Sequence, residues 1–186
     1  MNKTLILDAN QRSALAATRA LGKKGIPVVT GDVTRRTLAG SSKYSQASIT
    51  YPSPYDAPDA FVGALPGILS QQRIDTLFPM TDVTMALVLK HRAQLQGVHI
   101  AAPSFEVYDT VTDKYRLFQI AQELGLPMPA THFIGAGTSL PDLPDDLQFP
   151  AIIKPARSRI LAEGRWISTA VKIAHTREHL QRVINA

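Results

Sequence analysis

Residues 3–30 have the sequence KTLILDANQRSALAATRALGKKGIPVVT, and this stretch decides the fold class. The apolar run at residues 3–7 predicts a buried strand. The alanine- and leucine-rich run that starts at Ser13 predicts a helix, which Gly25 is placed to end. Residues 27–30 (PVVT) predict a second strand. A strand, a helix and another strand in such close succession are typical of an α/β protein.

Short strands and helices keep alternating over the first half of the chain. Apolar strands that alternate with helices predict a mostly parallel sheet that is covered on both faces. We therefore expect residues 1–107 to form a small, doubly wound, Rossmann-like α/β domain. Its further predicted elements are strands at residues 46–51, 76–80 and 98–101, and helices at residues 83–91 and at residues 59–72, where Pro66 kinks or interrupts the helix.

Polar side chains follow the predicted strands, at the edge where doubly wound domains bind their ligands. These residues are Asp8, Asn10, Asp32, Thr81 and Asp82, and all of them except Asp32 are candidates to face a substrate. The alternative is a local structural role, because Asp, Asn and Thr also cap helices, and this is the favoured interpretation for Asp82 and likewise for Asn10 and Asp8. The first turn has no glycine, which a dinucleotide site needs for close approach to the pyrophosphate. This excludes a nicotinamide- or flavin-dependent Rossmann enzyme.

The second half of the chain predicts a different, α+β organisation over residues 108–186. Prolines at 127 and 129 bias the chain around them towards an extended conformation. Glycine, proline and aspartate then dominate a long loop, and an Arg/Ser-rich loop follows the next strand. The predicted elements are helices at residues 114–124, ended by Gly125, and 176–184, capped by Thr176, and strands at residues 131–134, 149–154 and 169–174.

Lys154 lies at the end of the apolar strand and is the leading candidate for binding phosphate. An isolated lysine at a strand end would turn to solvent. Lys114 favours phosphate binding over simple exposure to solvent. It is the first residue of a predicted helix, where a cation is unfavourable against the helix dipole unless an anion is close. Arg157, Ser158 and Arg159 follow Lys154 and add donors that suit phosphate oxygens. These five residues form the predicted nucleotide-phosphate site.

Three motifs follow one another in this half, namely Thr112-Asp113-Lys114, residues 123–131 (ELGLPMPAT) and residues 149–155 (FPAIIKP). Together they resemble the start of an ATP-grasp domain, and among ATP-grasp proteins the carbamoyl-phosphate-synthase large-subunit-like group. The resemblance implies that Lys114 and Lys154 contact ATP phosphates, and that residues 108–186 begin the first ATP-binding subdomain after an α/β domain. It also implies a ligase or synthase that activates a small carboxylate as an acyl phosphate, with magnesium required in the full-length protein.

Two departures from the family pattern matter. The family's glycine-rich loop, which closes over the phosphates, is replaced by residues 156–165 (ARSRILAEGR), so arginine side chains replace backbone donors or the loop has another task. The sequence also stops at Ala186, before the family's metal-binding positions, and therefore no metal ligand and no catalytic residue is assigned. We expect this polypeptide alone to be inactive without the remaining half of the grasp domain. The alternative is a non-catalytic module that binds a nucleotide or a small acid.

Charge and composition limit the other classes of protein. A net charge of +5 and a pI of 9.6 would suit nucleic acid, but aromatic residues make up 6% of the chain and none alternates with the basic residues. Nucleic-acid binding is therefore the weaker alternative. The chain has no cysteine, which excludes disulfides and a thiol nucleophile.

Two further sequence patterns bear on location and metal binding. Apolar runs such as residues 85–89 are far too short to span a bilayer, and no secretory signal follows Met1, so a cytoplasmic protein is expected. His175 and His179 match the zinc-protease pattern H-x-x-E-H. Because Thr176 is expected to cap the last helix, His175 would lie before that helix, which argues against a metal site.

Overall fold

The computed structural model describes residues 3–135, 144–162, 165–168 and 170–184. The chain divides into two compact units. The first unit comprises the residues up to Tyr108 together with Leu161–Trp166. The second unit comprises Asp109–Ile160 and the residues from Ile167 onwards.

The first unit contains a five-stranded sheet in which all neighbouring strands are parallel. The strand order is β3-β2-β1-β4-β5, so the chain builds outwards from β1 in both directions, as in doubly wound folds. The predicted parallel sheet is therefore confirmed. The strands are β1 (Thr4–Ile6), β2 (Val28–Asp32), β3 (Ser45–Thr50), β4 (Thr76–Phe78) and β5 (His99–Ile100).

Helices cover both faces of this sheet, as the apolar strands predict. In β1 and the residue after it, Leu5 and Leu7 pack into one apolar cluster, whereas Ile6 packs into another. The larger cluster contains Phe61 and its neighbours from two helices, and the smaller contains Ala14 from the first helix. The helices are α1 (Arg12–Lys23), α2 (Pro58–Gln72) and α3 (Asp82–Lys90), followed by a 3-10 turn at Arg92–Gln94. Pro66 lies inside α2 without interrupting it.

The second unit contains a small antiparallel sheet covered by a helix. Strand β6 (Ala151–Ile153) pairs with β9 (Lys172–Ala174), and Leu180 of α6 (Arg177–Ile184) packs on Ala174 in a cluster with Ile153. Thr176 Oγ1 accepts a hydrogen bond from His179 N at 3.2 Å, which confirms the predicted cap of this helix. The remaining elements are α4 (Phe105–Thr112), in which the two units meet in sequence, α5 (Lys114–Glu123), and the two-stranded sheet of β7 (Arg159–Ala162) and β8 (Arg165–Ser168).

Four details of the second half differ from the predictions. Residues 131–134 form no strand, because Phe133 packs edge-on against the rings of Tyr115 and Phe118, at centroid distances of 4.8 and 5.0 Å, instead of joining a sheet. The predicted Arg/Ser loop contains β7. Of the strand predicted at residues 169–174, residue 169 lies outside the described residues, and within residues 170–174 the strand begins at Lys172. Helix α4 was missed because its sequence FEVYDTVT is rich in aromatic and β-branched residues, which favour strands.

Candidate functional site

At the carboxyl edge of the sheet in the first unit, Asp8 is buried and forms hydrogen bonds to residues that follow other strands. Its Oδ2 accepts hydrogen bonds from Met80 N at 3.0 Å and from Thr84 Oγ1 at 2.5 Å, and its own N–H donates to Tyr51 Oη at 2.9 Å. The residue has φ 55°, in the left-handed region that aspartate and asparagine tolerate better than most residues. Only 6% of Asp8 is exposed, so its contacts are those of a structural residue.

Asn10 and Asp32 organise the loop that follows β2. Asp32 Oδ2 accepts from Asn10 N at 2.9 Å, and Asp32 Oδ1 accepts from Val33 N at 2.7 Å. Asn10 in turn accepts from Leu38 N at 3.2 Å through Oδ1 and donates to Thr34 Oγ1 at 3.4 Å through Nδ2. These polar groups therefore hold the loop in place. A role for Asn10 towards a substrate stays a prediction.

Thr81 and Asp82 begin α3 in different ways. Thr81 is the N-terminal cap: its Oγ1 accepts from Thr84 N at 3.3 Å, and the Thr84 side chain caps the Thr81 N–H in return. Asp82 is the first helical residue, where its exposed carboxylate is favourable to the helix dipole. The cap inferred for this position therefore belongs to Thr81. The substrate-facing role of both residues stays a prediction.

Replacing Asp8 by asparagine is expected to stabilise the protein at pH 7. Burial raises the pKa of the Asp8 carboxyl above its usual 3.8, and hydrogen bonds from Thr84 and Met80 offset this only in part. A raised pKa in the folded state favours folding below the unfolded pKa, and this contribution is lost as the pH rises through the folded pKa. An asparagine side chain at this position would stay uncharged while keeping an acceptor for Met80 and a tolerated φ. Urea unfolding measures the free energy of unfolding of both proteins. The excess of Asp8→Asn over the native protein should vanish as the pH falls below 3.8.

Asp8→Ala is the matching control, since it removes both the charge and the acceptor. It leaves Met80 N–H and the Thr84 hydroxyl without this partner and puts alanine at positive φ, and should lower the unfolding free energy by about 1–3 kcal/mol. An Asp8→Asn variant with a lower free energy of unfolding than the native protein at pH 7 would show that the ionised carboxylate stabilises the folded state.

In the second unit, the first turn of α5 contacts the segment that follows β6. Asp113 caps the helix, with Oδ1 accepting from Tyr115 N at 3.0 Å and Arg116 N at 3.3 Å. Lys114 is the first helical residue, and its N–H donates to Ala156 O at 3.0 Å. The Lys114 ammonium lies 3.4 Å from the same oxygen and 3.5 Å from Ser158 Oγ. Two of the predicted phosphate-binding residues, Lys114 and Ser158, are thus brought together.

Lys154 immediately follows β6 and is exposed. Within the part of the chain that the structure describes, its ammonium has no hydrogen-bond or ion-pair partner. Two residues of extended chain span at most about 7 Å, so the Lys154 backbone lies within that distance of Ala156, which Lys114 contacts. Lys154 and Lys114 therefore belong to one local region of the second unit.

Arg157 forms a clamp with two carboxylates, which we call the Arg157 clamp: Arg157, Asp109 and Asp113. Its Nη1 lies 2.8 Å from Asp109 Oδ1 and its Nη2 lies 3.2 Å from Asp113 Oδ2. Partial burial lowers the pKa of Arg157, but Asp109 and Asp113 raise it more. The guanidinium is therefore engaged by α4 and by the cap of α5. Contact of Arg157 or of Arg159, an exposed residue of β7, with phosphate stays a prediction.

The side chains of β6 and β9 alternate between two faces of their sheet. Ala151, opposite Ala174, and Ile153 lie on the face that α6 covers. Ile152, opposite Ile173, points to the other face, where these side chains are 60% and 50% exposed. Lys154 follows Ile152 by two residues and lies just beyond the end of β6. Sequence reasoning missed this apolar surface because the run AII gives no sign of which residues α6 covers.

His175 and His179 stack with ring centroids 6.1 Å apart, and His175 N donates to His179 Nδ1 at 3.5 Å, which occupies a nitrogen that could ligate zinc. Among the described residues no three His, Asp or Glu side chains are close enough to hold a metal ion. None of the helices in these ranges is long and apolar enough to cross a bilayer. Trp166 packs on the larger core cluster and donates from Nε1 to Pro54 O at 2.9 Å.

With this geometry the chain has the fold of the N-terminal part of ATP-grasp enzymes, and the resemblance read from its motifs is confirmed. An L-amino acid ligase from Bacillus licheniformis matches with a TM-score of 0.69 at 15% identity, over 100% of this chain and 42% of that one. A biotin carboxylase–βγ-ATP complex from Campylobacter jejuni matches with a TM-score of 0.65 at 19% identity, over 98% of this chain and 40% of that one.

In sequence, the chain is similar to the carbamoyl phosphate synthase large chain of Myxococcus xanthus strain DK1622. The two are 25% identical over an alignment of 151 residues, and the match covers 77% of this chain. No family model matches the sequence. The chain spans 13% of the length of this curated relative, and 42% and 40% of the two enzymes of known structure.

Proposed function

We propose that this chain is the N-terminal part of an ATP-dependent carboxylate ligase of the ATP-grasp type, in which Lys114 and Lys154 bind the nucleotide phosphates. The observation that carries the proposal is the contact between the two lysine-bearing segments, through Lys114 N and Ala156 O at 3.0 Å and Lys114 Nζ and Ser158 Oγ at 3.5 Å. The similarity in fold over nearly the whole chain supports it.

The local charge also supports phosphate binding by the lysines rather than by Arg157. Arg157 is paired with Asp109 and Asp113, whereas Lys114 and Lys154 have no carboxylate partner among the described residues. One lysine–phosphate contact is worth about 1 kcal/mol in water and about 4 kcal/mol in a partly closed site. The Ser158 hydroxyl adds a neutral donor beside Lys114.

The exposed sheet face offers a place for the base of the nucleotide. Ile152 and Ile173 form an exposed apolar surface, and Lys154 follows Ile152 by two residues in the chain. A nucleotide has a flat, largely apolar base at one end and an anionic chain at the other. With the base over Ile152, its phosphates would extend towards Lys154 and Lys114, which matches the order of apolar and cationic groups on this unit.

In the proposed reaction, ATP transfers its γ-phosphoryl group to a small carboxylate. A carboxylate oxygen bonds to the γ-phosphorus, the bond from that phosphorus to the bridging oxygen breaks, and ADP leaves; an amine or other nucleophile then displaces phosphate from the acyl phosphate. In this reaction Lys114 and Lys154 would neutralise phosphate charge and orient the chain. Magnesium would neutralise charge that develops during transfer. The described residues offer no set of three ligands for it, so no step of this chain is assigned through the metal.

Titration calorimetry with ATP and magnesium on the purified chain tests the nucleotide site. Lys154→Ala is expected to weaken binding about tenfold or more, since tenfold corresponds to about 1.4 kcal/mol. Lys172→Ala is the matched control, because Lys172 is also exposed and lies on β9 opposite Ile153, the residue before Lys154. Its affinity should stay within about twofold of the native value, because the lost charge is screened by solvent.

Equal affinity in Lys154→Ala and the native chain would overturn the assignment of Lys154. Equal weakening by both variants would replace a specific site with general attraction to a basic surface. Release of ADP, measured with a carboxylate panel in the same samples, distinguishes a catalytic chain from one that only binds nucleotide.

A further inference from the structure

A separate cleft of about 290 Å³ lies in the first unit, beside the edge strand β3. We call it the Arg35 cleft. Arg35 comes from the loop after β2, Thr50 from the carboxyl end of β3, and Ile68, Gln71 and Gln72 from the last turns of α2. A volume near 300 Å³ is at the lower end of the range of small-molecule sites. The cleft is therefore large enough for a small metabolite.

The free edge of β3 adds backbone hydrogen-bonding groups to the cleft. In a parallel strand, the N–H and C=O of one residue point to one neighbour and those of the next residue point to the other side. Tyr51 N donates to Asp32 O at 3.2 Å, so Tyr51 faces β2. The groups of Thr50, and by the same alternation those of Ser48, face away from β2, and both residues line the cleft. Two N–H donors thus point towards the open side of the sheet.

The charge of the cleft favours an anion. The Arg35 guanidinium is exposed and has no hydrogen-bond or ion-pair partner in the part of the chain that the structure describes. None of the described lining residues is acidic. Gln71 and Gln72 contribute amide donors, and the hydroxyl of Thr50 contributes another. A planar guanidinium beside several neutral donors suits an anion that can accept two parallel hydrogen bonds.

We propose that the Arg35 cleft binds a small organic carboxylate. A carboxylate accepts the two parallel N–H bonds of Arg35, which fixes its orientation. Ile49 and Ile68 give the cleft an apolar wall, which contacts the carbon skeleton of such a ligand and has no counterpart on inorganic phosphate. A water molecule occupies about 30 Å³ in the liquid, so the cleft holds a ligand of about ten heavy atoms. This site is argued from the first unit alone and does not depend on nucleotide binding.

The test is an NMR titration of the ¹⁵N-labelled full chain with glutarate at constant ionic strength. We expect saturable shifts of the Ser48 and Thr50 amides and of the Gln71 and Gln72 side-chain amides. Arg35→Ala should weaken glutarate binding about tenfold or more, since hydrogen bonds to charged groups are the strong ones. Arg36→Ala is the matched control, because Arg36 is the next residue, is exposed and does not line the cleft. Its dissociation constant should match that of the native chain.

Several results would overturn the proposal. Shifts that fail to saturate, or that map outside the cleft, would remove the site. Equal weakening by Arg35→Ala and Arg36→Ala would show diffuse attraction between charges. Inorganic phosphate that binds as tightly as glutarate would refute the preference for an organic carboxylate. Because neither arginine side chain makes a hydrogen bond or an ion pair in the described residues, both variants should fold. Lys154→Ala should leave glutarate binding unchanged, which separates this test from that of the nucleotide site.

Discussion

Replacing Gly22 by alanine is expected to destabilise the protein by about 1–3 kcal/mol, although alanine is the better helix former. Gly22 lies in α1, where the helix passes directly over Tyr44, the residue before β3. A Cβ added at Gly22 would lie 2.6 and 2.7 Å from Tyr44 Cγ and Cδ1 and would also clash with Tyr44 Cβ. A rotation of the ring cannot relieve the clash at Cβ, so the helix or the chain before β3 must shift. Thermal unfolding followed by circular dichroism measures the loss.

Gly63→Ala is the matched control for this substitution. Gly63 lies in the interior of α2, and a Cβ added there meets nothing within 4 Å. Because no clash arises, the higher helix propensity of alanine determines the effect. The free energy of unfolding of the variant should rise by about 0.5–1 kcal/mol. The two glycine-to-alanine changes are therefore expected to have opposite signs. A Gly22→Ala variant that gained stability as Gly63→Ala does would show that α1 is free to move away from Tyr44.

The sheet of the first unit could be predicted because its signals are local. Residues 4–6 and 28–30 are continuous apolar or β-branched runs, as parallel strands buried on both faces require. The glycine at 25, with φ 75°, ends the intervening segment as its sequence position suggests. In β7 the sequence RILA begins with a charged residue and is half exposed, so neither alternation nor an apolar run marks it.

The candidate site could be predicted only in part, and for a physical reason. Lys114 and Lys154 lie in motifs that can be read along the chain, and Asp113, the cap of α5, stands beside Lys114 in the sequence. The pairing of Arg157 with Asp109 joins residues 48 positions apart and leaves no local signal. For that reason the sequence suggested phosphate as the partner of Arg157, whereas the structure provides two carboxylates. Asn10 is likewise a candidate to face a substrate on sequence grounds, with a structural role favoured, and in the structure Asn10 and Asp32 satisfy backbone groups of the loops.

Arg157→Ala is expected to lower the stability of the protein by about 1–3 kcal/mol at neutral pH, because it removes the charged partner of Asp113 and one of the two charged partners of Asp109. The side chains of the clamp are largely shielded, with exposures of 26% for Arg157, 30% for Asp109 and 17% for Asp113. Burial raises the pKa of Asp113, but hydrogen bonds from Arg116 N and Tyr115 N and the charge of Arg157 outweigh it, so its pKa lies below the usual 3.8. A lowered pKa in the folded state contributes stability above the unfolded pKa, and this contribution is lost as the pH falls through the folded value. The difference between native and variant protein should therefore shrink below pH 3.8.

Arg116→Ala is the control for Arg157→Ala, because Arg116 pairs with Asp109, which is also a partner of Arg157. Arg116 Nη1 lies 3.0 Å from Asp109 Oδ2, but its side chain is 55% exposed, and solvent-exposed pairs are worth about 0.2–1 kcal/mol. Hydrogen exchange supplies a local measurement, because the Lys114 amide donates to Ala156 O beside Arg157. We expect this amide to exchange faster in Arg157→Ala and at the native rate in Arg116→Ala. Equal protection of Lys114 in both variants would mean that the segment after Lys154 holds its position without Arg157.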